Sequence, residues 1–225
     1  MDSAARCRAT AAVCRVTAVR DAPQVSGAVE GEVDEAVFAR LVISAGGAPR
    51  PPYGKHGRQT LLSHLHGYNL AAARTPWLVL VDLDDDDCAP DLIARYLPRP
   101  SPLMAFRVAV REVEAWLLAD AERLSSFLGV SPARIPLDPD AVAEPKDAMV
   151  HLAAGSRRRD IKADMVPRPS SGRRVGPAYN SRLVEFVIDG DAGWSIENAS
   201  VRSDSLRRAV AGVTRVLQAA LMATE

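Results

Sequence analysis

At 225 residues and 48% apolar content, the chain is long enough to bury one substantial core and to carry an extension. Lysine plus arginine and aspartate plus glutamate both number 28, which excludes the global basic excess of a nucleic-acid-coating protein, so phosphate contacts must come from local patches. The three cysteines, Cys7, Cys14 and Cys88, have no CxxC spacing, which excludes a disulfide framework and a structural zinc site and fits a reducing, cytoplasmic setting. No apolar run approaches the ~20 residues of a membrane helix, so no membrane role is expected.

Residues 1–22 hold arginines and alanines but no continuous hydrophobic segment, and a frayed or disordered tail is expected there rather than a secretory signal. Residues 23–29 (PQVSGAV) suggest a strand softened by Gly27. Val37, Phe38, Leu41 and Val42 recur at helical spacing, predicting a helix over about 34–45 with acids in its first turn and Gly46 and Gly47 at its end. A proline- and glycine-broken loop follows at 49–57, then a helix over about 58–73 with Leu61, Leu62, Leu65 and Leu70 on its apolar side. Trp77 to Val81 form an unbroken apolar run, as expected of a strand buried on both faces. A short helix is expected to 97, a strand over 103–110, and a helical segment from 111 to Gly129. This alternation predicts an α/β core over 23–129 with a mainly parallel sheet flanked by helices. Residues 130–225 are expected to form a helical extension, with helices over about 146–154, 181–188 and 203–222 and a basic loop at 155–179.

The apolar run ends in Asp82, Leu83 and four further aspartates. Two carboxylates ~4 Å apart repel by about 4 kcal/mol at an effective dielectric near 20, so the cluster needs either full solvation or a cation. Strand alternation puts Asp82 and Asp84 on one side and Asp85 on the other. Ligands in open α/β sheets bind beyond the carboxyl ends of the strands, and Glu30 closes the first strand as Asp82 closes the later one. If those strands are neighbours, the three carboxylates converge in a site that suits Mg2+ or Mn2+, with Glu30 as general base, general acid or further ligand. Otherwise Glu30 only complements a helix N-terminus. Glu114, after the strand ending at Val110, is a candidate fourth ligand or an ordinary helix-start acid. Lys55, Lys146, Arg173 and Arg174 are candidate phosphate or nucleic-acid contacts, the last two within a loop that would equally serve as solvated surface. An EF-hand counted from Asp82 fails at Asp87 and Ile93, where glycine and glutamate are required. A haloacid-dehalogenase-like phosphatase has a small hydroxyl or aliphatic residue where Asp86 stands. A nucleotide-sugar transferase shares the Asp-x-Asp after a strand, but its usual opening does not match PQVSGAVEGEVDE.

VEGEVDEAV followed by VLVDLDDDD resembles a TOPRIM domain, the metal-binding α/β fold of topoisomerases, primases and OLD-family nucleases. With VREVEAWLLAD, Glu144-Pro145-Lys146 and Gly176-Pro-x-Tyr179, the chain is similar from about Val25 onward to a bacterial TOPRIM-like family of unknown function. The resemblance implies Glu30 as acid/base residue, Asp82 and Asp84 as metal ligands, and a magnesium- or manganese-dependent nuclease acting on DNA or RNA. It also implies a role in phage or mobile-element defence, with an ATPase as partner protein. With no tyrosine placed as a topoisomerase nucleophile, water is the expected attacker. The alternatives are a non-catalytic regulatory protein that keeps the fold and binds metal or nucleotide, and a nucleotide-sugar transferase.

Overall fold

A computed structural model describes residues 22–223, so the expected N-terminal tail lies outside the described residues apart from its last position. The first strand, β1 (Gln24–Val29), leads directly into helix α1 (Glu32–Ser44), whose first turn carries Glu32, Asp34 and Glu35 at the positive end of the macrodipole. Gly27 is the close-approach point between them. A side chain there would overlap the Phe38 ring of α1 and the backbone oxygen of Leu78, so the residue that weakens the strand in sequence terms is what lets α1 pack on it.

The expected loop at 49–57 instead contributes two short edge pieces, β2 (Ala48–Pro49) and β3 (Tyr53–Gly54), both parallel to β1. Helix α2 (Arg58–Ala71) follows, with Leu61, Leu62 and Leu65 buried; Leu70, expected on that apolar side, is exposed because it falls on the outer face of the last turn. Strand β4 (Trp77–Asp82) is buried at all six positions. Next come α3 (Ala89–Tyr96) and β5 (Met104–Ala109). Strand order is β2-β1-β4-β5, with β3 also on β1, and all four pairings are parallel. The chain is therefore an α/β protein with a parallel five-strand sheet flanked by helices. β1 and β4 are direct neighbours, Ala28 standing opposite Val79.

Alternation along the strands divides the core. Ala28, Trp77, Val79, Val81, Phe106 and Val108 face the cluster built with α2 and α3. Val25, Val29, Leu78, Leu80, Ala105 and Ala109 face the larger cluster, which includes most of the helices after β5. The helical segment after β5 is two helices, α4 (Val113–Ala119) and α5 (Ala121–Leu128), broken at Asp120. Every residue of α4 is buried, as expected of a helix that is apolar nearly all round.

Helices α6 (Pro145–Ala154) and α7 (Arg159–Met165) follow, the latter inside the segment expected to be a basic loop. α8 (Tyr179–Ile188), α9 (Ile196–Arg202) and α10 (Asp204–Met222) complete the larger face. Two tryptophans tie this layer together without leaving a buried donor unmet. Trp116 Nε1 donates to Ser205 Oγ at 2.7 Å and Trp194 Nε1 to the Trp116 carbonyl at 3.0 Å. Burying each such ring contributes roughly 2–3 kcal/mol. Among the described residues no helix is long and apolar enough to cross a membrane.

Candidate functional site

Parallel pairing sends the carboxyl ends of β1 and β4 out of the same edge of the sheet, where Glu30 and Asp82 meet. The Asp82 backbone N–H donates to Glu30 Oε1 at 2.9 Å. The Asp82 carboxylate points toward the larger core, as Leu78 and Leu80 do, and its Oδ1 accepts from the Val113 backbone N–H at 3.0 Å, at the first turn of α4. Asp34 of α1 and Glu114 of α4 are buried beside it. These residues and Asp84 line a cavity of about 260 Å³ together with Lys146 and Asn180.

The electrostatics follow from crowding acids where water is scarce. Burial raises Asp82 well above the ordinary carboxylate range, with Asp34, Glu114, Glu30 and Asp84 pushing the same way. Burial raises Glu30 to about 7 against the opposing hydrogen bond from the Asp82 amide. Burial likewise raises Glu114 to about 7, opposed by Lys146, and it raises Asp34. The Asp34 Oδ1 atom is buried with no hydrogen-bond partner. Such an atom costs about 1–3 kcal/mol unless something fills the position next to it.

Glu114 and its neighbours bring together three separated sequence motifs. Tyr179 Oη donates to Glu114 Oε1 at 3.2 Å, and burial together with that carboxylate raises the phenol. Lys146 Nζ stands 3.6 Å from Glu114 Oε1 and 3.1 Å from Glu112 Oε1, while the Lys146 amide donates to Glu112 Oε2 at 2.9 Å. Burial lowers the Lys146 ammonium's proton affinity, but Glu114 and Glu112 outweigh it and hold the group raised. Pro145 begins α6 where no amide donor is needed, so Glu112 serves the next amide along.

Asp84 reaches the cavity by a different route from the one alternation suggests. The strand ends at Asp82, and Asp84 sits in a turn at φ 49°, in the left-handed region that aspartate tolerates better than most residues. Its Oδ2 accepts from Arg58 Nη1 at 3.2 Å. Arg58 also pairs with Asp86, as does Arg95 at 3.2 Å, and Arg111 Nη1 donates to the backbone oxygens of Asp84 and Asp86 at 2.9 and 3.2 Å. Asp86 is thus an ion-pair partner, and its hydrogen bond with Arg58 lowers its pKa.

The basic candidates separate. Lys146 lines the acidic cavity but is held by glutamates. Arg174 lines an adjoining cavity with Asp84 and Glu112 and pairs with Glu144 at 2.8 Å and Asp147 at 3.0 Å. Lys55 pairs with Glu35 of α1 at 2.7 Å and does not line the cavity, and Arg173 is exposed and away from it. Sequence reasoning missed Arg58 and Asp34. Asp34 has the look of an ordinary helix-start acid, and nothing local announces that Arg58 meets a turn some 26 residues further on.

Chemically, six carboxylates (Glu30, Glu32, Asp34, Asp82, Asp84 and Glu114) around a small cavity with one ammonium are suited to hold a divalent cation. Lys146 pairs with Glu112 and Glu114, and Glu30, Asp34, Asp82 and Asp84 have no ion pair with it. Among the described residues, no three His, Cys, Asp or Glu side chains form a ready-made metal cage. Magnesium needs only one or two protein carboxylates, its remaining ligands being water and substrate phosphate. The unpartnered Asp34 oxygen and the raised Asp82 are the observations that fit such an ion. No protein-family model, curated protein or solved structure matches the chain.

Proposed function

We propose that the chain is a divalent-metal-dependent phosphodiesterase acting on nucleic acid, with a TOPRIM-like arrangement of its sheet edge. The observation that supports this reading best is the meeting of Glu30 and Asp82 at the carboxyl ends of adjacent parallel strands, linked by the 2.9 Å bond from the Asp82 amide. In this reading Asp82 and Asp84 hold Mg2+ or Mn2+, with Asp34 and Glu114 supplying further negative charge. The ion, when bound, polarises the phosphate and stabilises the leaving oxygen. Glu30, fixed at one oxygen by the Asp82 amide, keeps its other oxygen for moving a proton to or from attacking water. Lys146 and Tyr179 position Glu114, Lys146 offsetting its charge, and Arg174 lines the adjoining cavity where a phosphate chain would leave the site.

The test is cleavage of single- and double-stranded DNA and RNA with Mg2+ or Mn2+. Asp82→Asn and Glu30→Gln keep the oxygen that accepts each backbone hydrogen bond, so both variants should fold. Each is expected to lose about 10³-fold in rate. Cleavage at the parental rate in both would sink the assignment. A second reading, a non-catalytic metal- or nucleotide-binding regulatory protein, is favoured by one detail: Lys146 already pairs with Glu114, one of the candidate ligands. Metal binding without turnover on any of these substrates would select it.

A further inference from the structure

A second cavity, of about 500 Å³, lies at the free edge of β5, between that strand and the N-terminal turns of α3 and α10. Its walls are largely aliphatic, with Leu83, Ile93, Val108 and Val110 prominent, and no aromatic ring lines it. Its volume falls within the range of small-molecule sites, about 300–1,000 Å³.

Three arginines also line it, and their commitments differ. Arg208 is paired with Asp204 at 2.6 Å, and Arg111 donates to two backbone oxygens of the aspartate turn. Arg107, on β5, has neither kind of partner among the described residues, and its Nε is buried without an acceptor. Its guanidinium lies over Gly212 of α10, where a side chain would overlap it in this position. Burial lowers its proton affinity, and the charge it feels is the like charge of Arg215. The lining carboxylates do not compensate it. Asp140 accepts from Ser203 Oγ and the Ser205 amide, Asp204 serves Arg208, and Asp87 is exposed. A half-buried guanidinium repelled by a second arginine and given no carboxylate is costly unless an anion meets the part of it that lines the cavity.

We infer that this cavity binds a small organic anion, an aliphatic chain bearing one carboxylate or phosphate monoester group, with the anionic group on Arg107 and the chain against the aliphatic walls. The site is separate from the acidic cavity and does not rest on the proposed nuclease activity.

The test uses 1-anilinonaphthalene-8-sulfonate as a fluorescent reporter on the full chain, displaced by hexanoate, by hexyl phosphate, or by neutral 1-hexanol. One saturable site is expected. One or both anions should displace the reporter, and which does so identifies the headgroup; hexanol at equal concentration should not. Arg107→Met should weaken binding at least about tenfold, the loss expected for a charge-assisted hydrogen bond, and Arg107→Lys should retain part of it. Ala143→Trp, at an exposed lining position, should block the site. Should Arg107→Met fail to fold by circular dichroism, Ala143→Trp decides alone. Unchanged binding in Ala143→Trp, equal binding in folded Arg107→Met, or equal displacement by hexanol would overturn the inference.

Discussion

The aspartate run contains two neighbouring regions made from the same side chain and held in opposite ways. Asp82, the last residue of β4, is buried among Asp34, Glu30 and Glu114, and burial and like charge both raise it. Asp86, four residues on, sits in the turn between Arg58 and Arg95, and Arg58 lowers it. Where arginines reach the acids, the charge is settled inside the protein. Where they do not, Asp82, Asp34, Glu30 and Glu114 share a pocket with a single lysine, and acids outnumber cations there. Density of aspartate in the sequence is therefore a poor guide to function; what marks a site is the acid without a counter-ion.

The contrast can be broken most severely at Lys146. Lys146→Met leaves Glu112 and Glu114 without the cation that now satisfies both. It is expected to cost about 3 kcal/mol, or roughly 10 °C in melting temperature by calorimetry, and to be partly reversed by a second change, Glu114→Gln. A Lys146→Met protein as stable as the parent would mean the lysine is not balancing the acids.

The next effect is on pH. Glu30 and Glu114 have ordinary values near 4.5 and values of about 7 in the fold. Between pH 4.5 and 7 the native chain therefore binds more protons than the unfolded chain, so stability falls as pH rises through that window and levels off above it. Chelator-treated protein should melt on the order of 5 °C higher at pH 5 than at pH 7.5, and millimolar Mg2+ should recover much of the difference at pH 7.5. Melting that rises steadily with pH in chelator would contradict the assignment of charge in the cavity.

Much of the sheet was legible in sequence because strands buried on both faces leave a continuous apolar run, as Trp77 to Val81 do, and because helical spacing marks α1, α2 and α10. Glu30 and Asp82 were legible because each stands at the carboxyl end of a strand the sequence suggests. Other features depend on distance in the chain rather than pattern. β2 and β3 are two residues long and exist only as partners of β1. Asp84 lines the cavity through a left-handed turn rather than through strand alternation, which had stopped two residues earlier. Asp34 has the position of a helix-start acid, and its unpartnered buried oxygen is visible only once α1 is packed. Lys55 lies in a glycine-bearing loop, but the first turn of α1 beside it offers Glu35 as its partner.

The smallest expected effect concerns the satisfied end of the run. Arg58→Ala removes the partner of Asp84 and Asp86 but leaves Arg95 and Arg111 on the turn. It should lower the melting temperature by only about 2–4 °C, in keeping with the modest worth of ion pairs that remain partly solvated. A loss as large as that of Lys146→Met would erase the distinction between the two regions.

The most direct measurement is Mn2+ binding by titration calorimetry to the parent chain, Asp82→Asn and Asp86→Asn. The parent and Asp86→Asn should bind alike, because the Asp86 charge is already matched by arginines. Asp82→Asn should bind at least about tenfold more weakly, since it removes the charge at the centre of the uncompensated group. Equal binding by Asp82→Asn and the parent, or loss of binding in Asp86→Asn alone, would contradict the account.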